Sequence, residues 1–292
     1  MLSWIHIKHS GNNYHITVPP KCSHHCQGAI VAAHKTIDHI VEKYPPPYIL
    51  YVSGGADSQA MLWAWHTSGV PYTAVSYVYN NTLNLHDLNA GMPEFANRYN
   101  ISIQRRSIDL LEFYENRYQT YAEQYRCGSP HIAAYMYMAD QQHSGTVIFS
   151  GSATVRAHSF YTANEWRLYH YGNVSGRSIV PAFFSETQQL HYAFVDVVSA
   201  SDNKFDVYHK AGFPVIPQIY KTEALSSTDR YSGFEGIKQY YEKLDLPSLS
   251  LQQKMQRLPG QTSNSKYDMI LRNPWEWKFR NDIYRVDYMD TQ

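Results

Sequence analysis

Tyr48-Ile49-Leu50-Tyr51-Val52-Ser53-Gly54-Gly55-Ala56-Asp57-Ser58 is the stretch that decides the fold. Its first five residues form a short unbroken apolar run, the pattern of a parallel strand buried on both faces. Residues 58–67 then carry a helical pattern that Ser68-Gly69 stops. Between strand and helix lie Gly54 and Gly55, which let the backbone turn sharply and approach a ligand closely. Successive amide N–H groups in such a turn form a concave nest for an anion, and the helix adds the positive end of its dipole. The hydroxyls of Ser53 and Ser58 offer further donors to phosphate oxygens. Asp57 is badly placed beside a polyphosphate unless a cation intervenes, and Mg²⁺ shared between carboxylate and phosphate oxygens removes that conflict. The lysine and the spacing of the GxxxxGKS/T loop are absent.

Working outward, strand and helix patterns alternate: a strand at 72–79, a helix at 88–99, a strand at 101–107, helices at 110–124 and 132–142, and a strand at 146–150 that ends at Gly151. This rhythm predicts an α/β fold, an open and mostly parallel sheet with flanking helices, which takes ligands at the carboxyl ends of its strands. Upstream, Trp4-Ile5-His6-Ile7-Lys8-His9 and Tyr14-His15-Ile16-Thr17-Val18 alternate with period two around Ser10-Gly11-Asn12-Asn13, an N-terminal β-hairpin. A helix follows at 30–44 and ends at Pro45-Pro46-Pro47. After about residue 160 the rhythm is lost. Ile179-Val180-Pro181-Ala182-Phe183-Phe184 reads equally as a strand or an extended loop, helices are expected at 186–198 and 234–244, and the tail at 275–288 has no assignment. Three units result: the hairpin and helix (1–46), a nucleotide-binding domain (47–198), and a mainly helical C-terminal extension on the substrate side (199–292).

Composition narrows the class. The 25 basic and 25 acidic residues are interspersed, with no Lys/Arg-rich run, so no strong basic nucleic-acid surface is expected. No apolar run reaches transmembrane length and no basic-then-apolar leader is present, so a cytoplasmic protein with no membrane partner is expected. Three cysteines in 292 residues do not make a disulfide framework, which agrees with a reducing compartment. The 26 tyrosines suit polar-tipped packing, a subunit interface in a homo-oligomer, or a stacking surface for a base. Cys22, His24, His25 and Cys26 lie within five residues and are a candidate Zn²⁺ cluster. Side chains on so short a segment cannot all aim at one tetrahedral centre; Cys127 or a distant histidine would have to complete it, and a solvated loop is favoured.

The strand, the Ser53-Gly54-Gly55-Ala56-Asp57-Ser58 loop and the helix resemble the SGGxDS signature of the PP-loop ATP pyrophosphatase superfamily, whose members include asparagine synthetases, tRNA lysidine synthetase and the deazaguanine nitrile synthases. The resemblance continues through Asp87-Leu88-Asn89-Ala90 and Phe95-Ala96, the glycine turn at Ser150-Gly151-Ser152, and Ser178-Ile179-Val180-Pro181-Ala182-Phe183-Phe184 with Arg177 nearby. It implies ATP and Mg²⁺, with Ser53, Gly54, Gly55, Ser58, Gly151 and Ser152 around the nucleotide, Asp57 on the metal, and Asp57 and Ser58 as catalytic residues. It further implies that a carboxylate or carbonyl oxygen attacks the α-phosphate, that pyrophosphate leaves, and that a nitrogen nucleophile completes an amide- or amidine-type ligation. The acceptor is then a small molecule or a modified nucleobase, and because no glutaminase half is evident the nitrogen would come from free ammonia, an amine substrate or an ammonia-donating or assembly partner. Lys221, Lys266, Arg272 and Arg156 are candidate phosphate or substrate contacts.

Two departures stand out. Tyr79-Asn80-Asn81 replaces the acidic residue and glycine that end the second strand in many members, and Ala153-Thr154-Val155-Arg156 replaces the acidic residues of asparagine synthetases. A sulfonucleotide (PAPS) reductase-like protein is the alternative, disfavoured because the last cysteine is Cys127; a degenerate nucleotide-binding or assembly subunit is another. The Met1-Leu2 start is not the Met-Cys of the N-terminal-nucleophile amidotransferases, and no CxxC pair exists for relaying sulfur.

Overall fold

The computed structural model describes residues 6–10, 13–18, 28–89, 91–127, 129–151, 163–197, 204–216, 234, 236, 237, 240 and 284–288. Strands β1 (His6–Ser10) and β2 (Asn13–Val18) pair antiparallel, with His6 opposite Thr17 and Ser10 opposite Asn13. This is the hairpin that period-two alternation predicts. Helix α1 (Ala29–Lys43) buries Ala29, Ala33, Ile37 and Ile40 along one stripe, and the prolines after Tyr44 prevent its continuation.

The central unit then runs β3 (Tyr48–Tyr51), α2 (Ala56–Ser68), β4 (Thr73–Tyr79), α3 (Leu85–Leu88), α4 (Met92–Arg98), β5 (Ile103–Ile108), α5 (Leu110–Asn116), α6 (Tyr118–Gln124), α7 (Pro130–Asp140), β6 (Thr146–Phe149), α8 (Ala163–Ser175), β7 (Ile179–Val180) and α9 (Gln188–Val197). Helix α10 (Lys204–Lys210) follows, and β8 (Tyr284–Tyr288) pairs parallel with β2. The unassigned tail therefore contains a strand of the hairpin's sheet.

The five strands of the central unit are all parallel, in the order β5-β4-β3-β6-β7. Because side chains alternate along a strand, Leu50 and Val52 enter one core while Ile49 and Tyr51 enter the other. The first core holds α1, α2, α9 and α10 through residues such as Ile37, Trp65, Phe194 and Tyr208. The second holds α5 to α8 through Phe113, Tyr118, Met136 and Tyr171. Helices thus cover both faces, the α/β arrangement expected. Helix α1 packs into this unit across residue 46, as do Tyr208 and Phe213 across residue 198.

Local chemistry accounts for the differences from the expected elements. The helix expected at 88–99 starts only at Met92, because Gly91 at φ 86 is the N-cap of α4, and the short α3 ends at Leu88 before it. The helix expected at 110–124 breaks at Arg117, φ −125. Helix α8 has no counterpart in the expectations: Glu165, Arg167 and His170 are buried among its apolar residues, so no apolar stripe marks it. The segment at 179–184 is both readings in turn, a two-residue strand and then a 3₁₀ turn at Phe183–Ser185.

Leu50 is fully buried at the centre of β3. Leu50→Ala should cost about 3 kcal/mol, read as a lower urea midpoint with unchanged m-value. Two histidines should make the fold less stable in acid. Burial pushes His191 down to about 4 and lowers His39 as well. The unfolded chain takes up these protons below about 6.5 and the folded chain does so only at lower pH, so their contribution is complete above 6.5 and is lost as pH falls. Urea midpoints between pH 7.5 and 5 should fall accordingly, and His191→Gln should flatten the slope.

Candidate functional site

The sheet order reverses at β3. The chain moves outward from β3 to β4 and β5, then returns to place β6 on the other side of β3. Helix α2 leaves β3 toward one core and α8 leaves β6 toward the other, so a crevice opens at the carboxyl ends of these strands. A cavity of about 450 Å³ lies there. Ser53, Gly55, Asp57 and Ser58 from the β3–α2 loop line it, together with Ser150 and Gly151 after β6 and Glu165 on α8.

The loop is braced from within. The Ser58 Oγ accepts from the Ser53 N–H at 3.1 Å and lies 3.2 Å from the Ser53 Oγ, which itself accepts from the Gly55 N–H at 3.2 Å. One hydroxyl hydrogen makes the Ser53–Ser58 bond, so the other stays available to a ligand. The buried Gln59 side chain donates to the Gly54 carbonyl at 3.2 Å and accepts from the Ile216 N–H at 2.7 Å, tying the loop to the segment after α10. Gly55 is the N-cap of α2 at φ −67, a value any residue adopts. The expected sharp turn therefore does not require glycine at that position, and close approach is the remaining reason for it. The first-turn amides of α2 have no intrahelical acceptors and lie at the cavity wall with the positive dipole end.

Gly151 does need to be glycine. Its φ is +65, and a Cβ there would lie 2.4 Å from the Ala182 Cβ and 2.9 Å from the Glu165 Oε1. The turn after β6 thus presses against the β7 end and the Glu165 carboxylate. Asp57 and Glu165 line one cavity and both are carboxylates, while no lysine or arginine of the described residues lines it. This donor set fits Mg²⁺, which takes one or two protein carboxylates and fills its octahedron with waters and phosphate oxygens. Among the described residues no three of His, Cys, Asp and Glu are placed to hold a metal by themselves. Asp57 also accepts a hydrogen bond from the Tyr208 hydroxyl.

The cavity lining is also aromatic, with Tyr51, Tyr77, Tyr79, Tyr135 and Phe149 in its wall. Tyr135 lies 5.4 Å from Phe149 between centroids, and Tyr51 meets Phe149 edge-on. The Tyr51 hydroxyl donates to the Met138 carbonyl at 2.6 Å, and the Gln142 Nε2 donates to the Tyr77 hydroxyl at 2.9 Å. Burial raises the Tyr51 phenol far above its ordinary value, so it remains a protonated donor. With their hydroxyls held elsewhere, these rings present apolar surface suited to a flat heteroaromatic group. Phe234 adds a ring beside His131 at 4.3 Å and Tyr79 at 6.0 Å.

The sequence departure at Tyr79-Asn80-Asn81 has a structural role. Asn80 and Asn81 take φ 43 and 67, conformations asparagine tolerates better than most residues. The Asn80 side chain accepts from the Leu110 and Leu111 N–H groups and donates to Asp109, the N-cap of α5. The buried Asn84, which lines the cavity, accepts from the Tyr79 N–H and donates to the Tyr77 carbonyl, both at 2.8 Å.

The structure thus brings Ser53, Gly55, Asp57, Ser58 and Gly151 to one cavity, with Gly54 held behind them by Gln59. Ser152, Arg156, Lys221, Lys266, Arg272 and the Cys22, His24, His25 and Cys26 cluster lie outside the described residues. Cys127 is fully buried, and burial pushes its thiol up to about 11. Arg177 is not a cavity residue; it pairs with Asp140 and donates to the Gln142 carbonyl at 2.8 Å. Sequence reasoning missed Glu165, Tyr208, Gln59 and the aromatic wall. Glu165 carried no signal because α8 was not recognised. Among the described residues no helix is long and apolar enough to cross a membrane.

No protein-family model and no curated protein matches the chain. Solved structures similar to it include a predicted subunit of tRNA methyltransferase from Methanocaldococcus jannaschii, at 13% identity, 56% of this chain, 85% of that chain and TM-score 0.31. The tRNA thiolase NcsA from Methanococcus maripaludis, with its 4Fe–4S cluster, is similar at 12% identity, 87% of this chain, 78% of that chain and TM-score 0.34. NMN synthetase from Francisella tularensis is similar at 17% identity, 86% of this chain, 93% of that chain and TM-score 0.35. The chemistry of the site rests on this chain's own residues.

Gly151→Ala tests the packing of the β6 turn. Strained φ and the contact with Ala182 should together cost more than about 1 kcal/mol and displace Glu165, seen as a lower melting temperature.

Proposed function

We propose that the chain is an ATP pyrophosphatase of the PP-loop type, which adenylates a carboxylate or carbonyl substrate and releases pyrophosphate. The observation that supports this best is the braced Ser53–Ser58 loop, opening at the sheet's switch point onto a cavity lined by carboxylates and aromatic rings. In this reading the base and ribose of ATP lie against the aromatic rings and the triphosphate lies along the first-turn amides of α2. An oxygen of the acceptor attacks the α-phosphate in line, the bond to the β-phosphate oxygen breaks, and pyrophosphate leaves. A nitrogen nucleophile then displaces AMP from the activated carbon.

The first-turn amides of α2 and the one hydroxyl hydrogen that the Ser53–Ser58 pair leaves available hold the departing pyrophosphate oxygens, with Gly55 allowing their close approach, and these fixed positions lower the reorganisation needed as charge moves. Asp57, with Glu165, would hold Mg²⁺, which supplies neutralisation of the phosphate charge. The acceptor is a small molecule or modified nucleobase, with nitrogen from free ammonia, an amine or a partner subunit. Three cysteines without a disulfide framework favour the cytoplasm. A sulfonucleotide reductase is disfavoured because no cysteine follows Cys127, whose thiol is buried and protonated.

ATP labelled at the α- and γ-phosphates, incubated with Mg²⁺ and a panel of carboxylate, amide and nucleobase acceptors, should give AMP and pyrophosphate but no orthophosphate. Asp57→Ala should lower that turnover by at least about 100-fold. Orthophosphate release, or turnover indifferent to Asp57→Ala, would sink the proposal. ATP binding without turnover for any acceptor would instead favour a nucleotide-binding or assembly subunit.

A further inference from the structure

We propose that Gln142 is a positioning residue for the nucleoside: from outside the cavity its side-chain amide holds the phenols of Tyr51 and Tyr77, and so fixes two of the rings against which the base lies. This rests on the nucleotide reading above. Tyr51 on β3 and Tyr77 on β4 belong to one core and line the cavity. Gln142 is buried, does not line the cavity, and sits two residues beyond α7 in the connection to β6. Its Nε2 donates to the Tyr77 hydroxyl at 2.9 Å and to the Tyr51 hydroxyl at 3.2 Å, which uses both amide hydrogens. The two phenols donate in turn to the Met138 carbonyl, at 2.6 Å from Tyr51 and 3.3 Å from Tyr77.

The amide is itself held from behind. Its Oε1 accepts from the Arg106 guanidinium of β5 at 2.9 Å, and its main-chain carbonyl accepts from Arg177 at 2.8 Å. A guanidinium only donates, so the oxygen of the amide must face Arg106 and the nitrogen must face the phenols. Tethering a phenol at its hydroxyl fixes the far end of the ring, where the side-chain torsions leave the most freedom. The constraint spreads, because Tyr51 stands edge-on to Tyr77 at 5.4 Å and 85°, and to Phe149 at 5.1 Å and 89°. Ring contacts depend on such alignment, so a wall fixed beforehand spares the base the cost of ordering it. Gln142 touches no ligand in this arrangement; it acts through the tyrosines.

Gln142→Leu removes the amide at similar volume, and Tyr77→Phe removes one tethered hydroxyl while leaving Gln142 in place. Phe113→Leu, which loosens the same core through its stacking on Tyr137 at 4.7 Å, is the packing control. The test is isothermal titration calorimetry with two probes in excess Mg²⁺, ATP and inorganic triphosphate, alongside thermal melts of each variant. Gln142→Leu should weaken ATP by about five-fold or more and leave inorganic triphosphate unchanged, and Tyr77→Phe should shift ATP in the same sense by about two-fold or more. Phe113→Leu should lower the melting temperature and leave the ratio of the two affinities in place. An unmoved ATP affinity in Gln142→Leu or in Tyr77→Phe overturns the inference. So does an equal loss for both probes, or the same ratio change in Phe113→Leu, either of which marks Gln142 as packing alone. A wild-type chain that binds ATP no more tightly than inorganic triphosphate removes the base from the rings and this inference with it, whereas one that binds neither probe overturns the nucleotide reading itself.

Discussion

Strand β3 has parallel neighbours on both sides, and the connections from β3 and β6 leave toward opposite faces. Everything at the candidate site depends on that arrangement. Two crossovers on the same face would close over the strand ends. Departing to opposite faces, α2 and α8 leave the ends uncovered and bring their own first turns to the gap. The β3–α2 loop and the Gly151 turn therefore line one cavity, and Glu165, in the first turn of α8, lines it with them.

A polar loop at the edge of two apolar cores is costly unless its backbone groups are paired. Here three buried side chains do that work. Gln59 satisfies the Gly54 carbonyl, Asn84 pairs with both the Tyr79 N–H and the Tyr77 carbonyl, and the Ser76 hydroxyl donates to the Val52 carbonyl at 2.9 Å. Each bond fixes a main-chain atom at the end of β3 or β4. The cavity's shape is consequently set before any ligand arrives, as electrostatic stabilisation by fixed donors requires.

The legible part of the fold was the part governed by local pattern. The continuous apolar run at β3, the glycine turn at Gly151 and the alternation across the hairpin each follow from rules that act within a few residues. Helix α8 escaped because its buried face includes Glu165, Arg167 and His170, so polarity no longer reported exposure. The same exception hid Glu165 from the site. Tyr208 was illegible for another reason: its contact with Asp57 spans 151 positions, and only the packing of α10 against α2 makes the pair. The loop motif marked where an anion would sit, but the hydroxyl that bonds Asp57 is supplied by a distant part of the chain.

The charge of the cavity constrains its chemistry further. Asp57 and Glu165 line it, and among the described residues neither lysine nor arginine does. Two carboxylates beside a bare polyphosphate would repel it, and the partial positive charge at one helix end, about half an elementary charge, does not offset that. On the nucleotide reading a divalent cation thus strengthens the binding of the polyphosphate. The aromatic lining has no such requirement, since ring surfaces bind a flat heterocycle whatever its phosphate content. On that reading nucleoside and metal-bound polyphosphate would engage separable parts of one cavity, and the glycines Gly55 and Gly151, which also line it, carry no side chain to obstruct an acceptor.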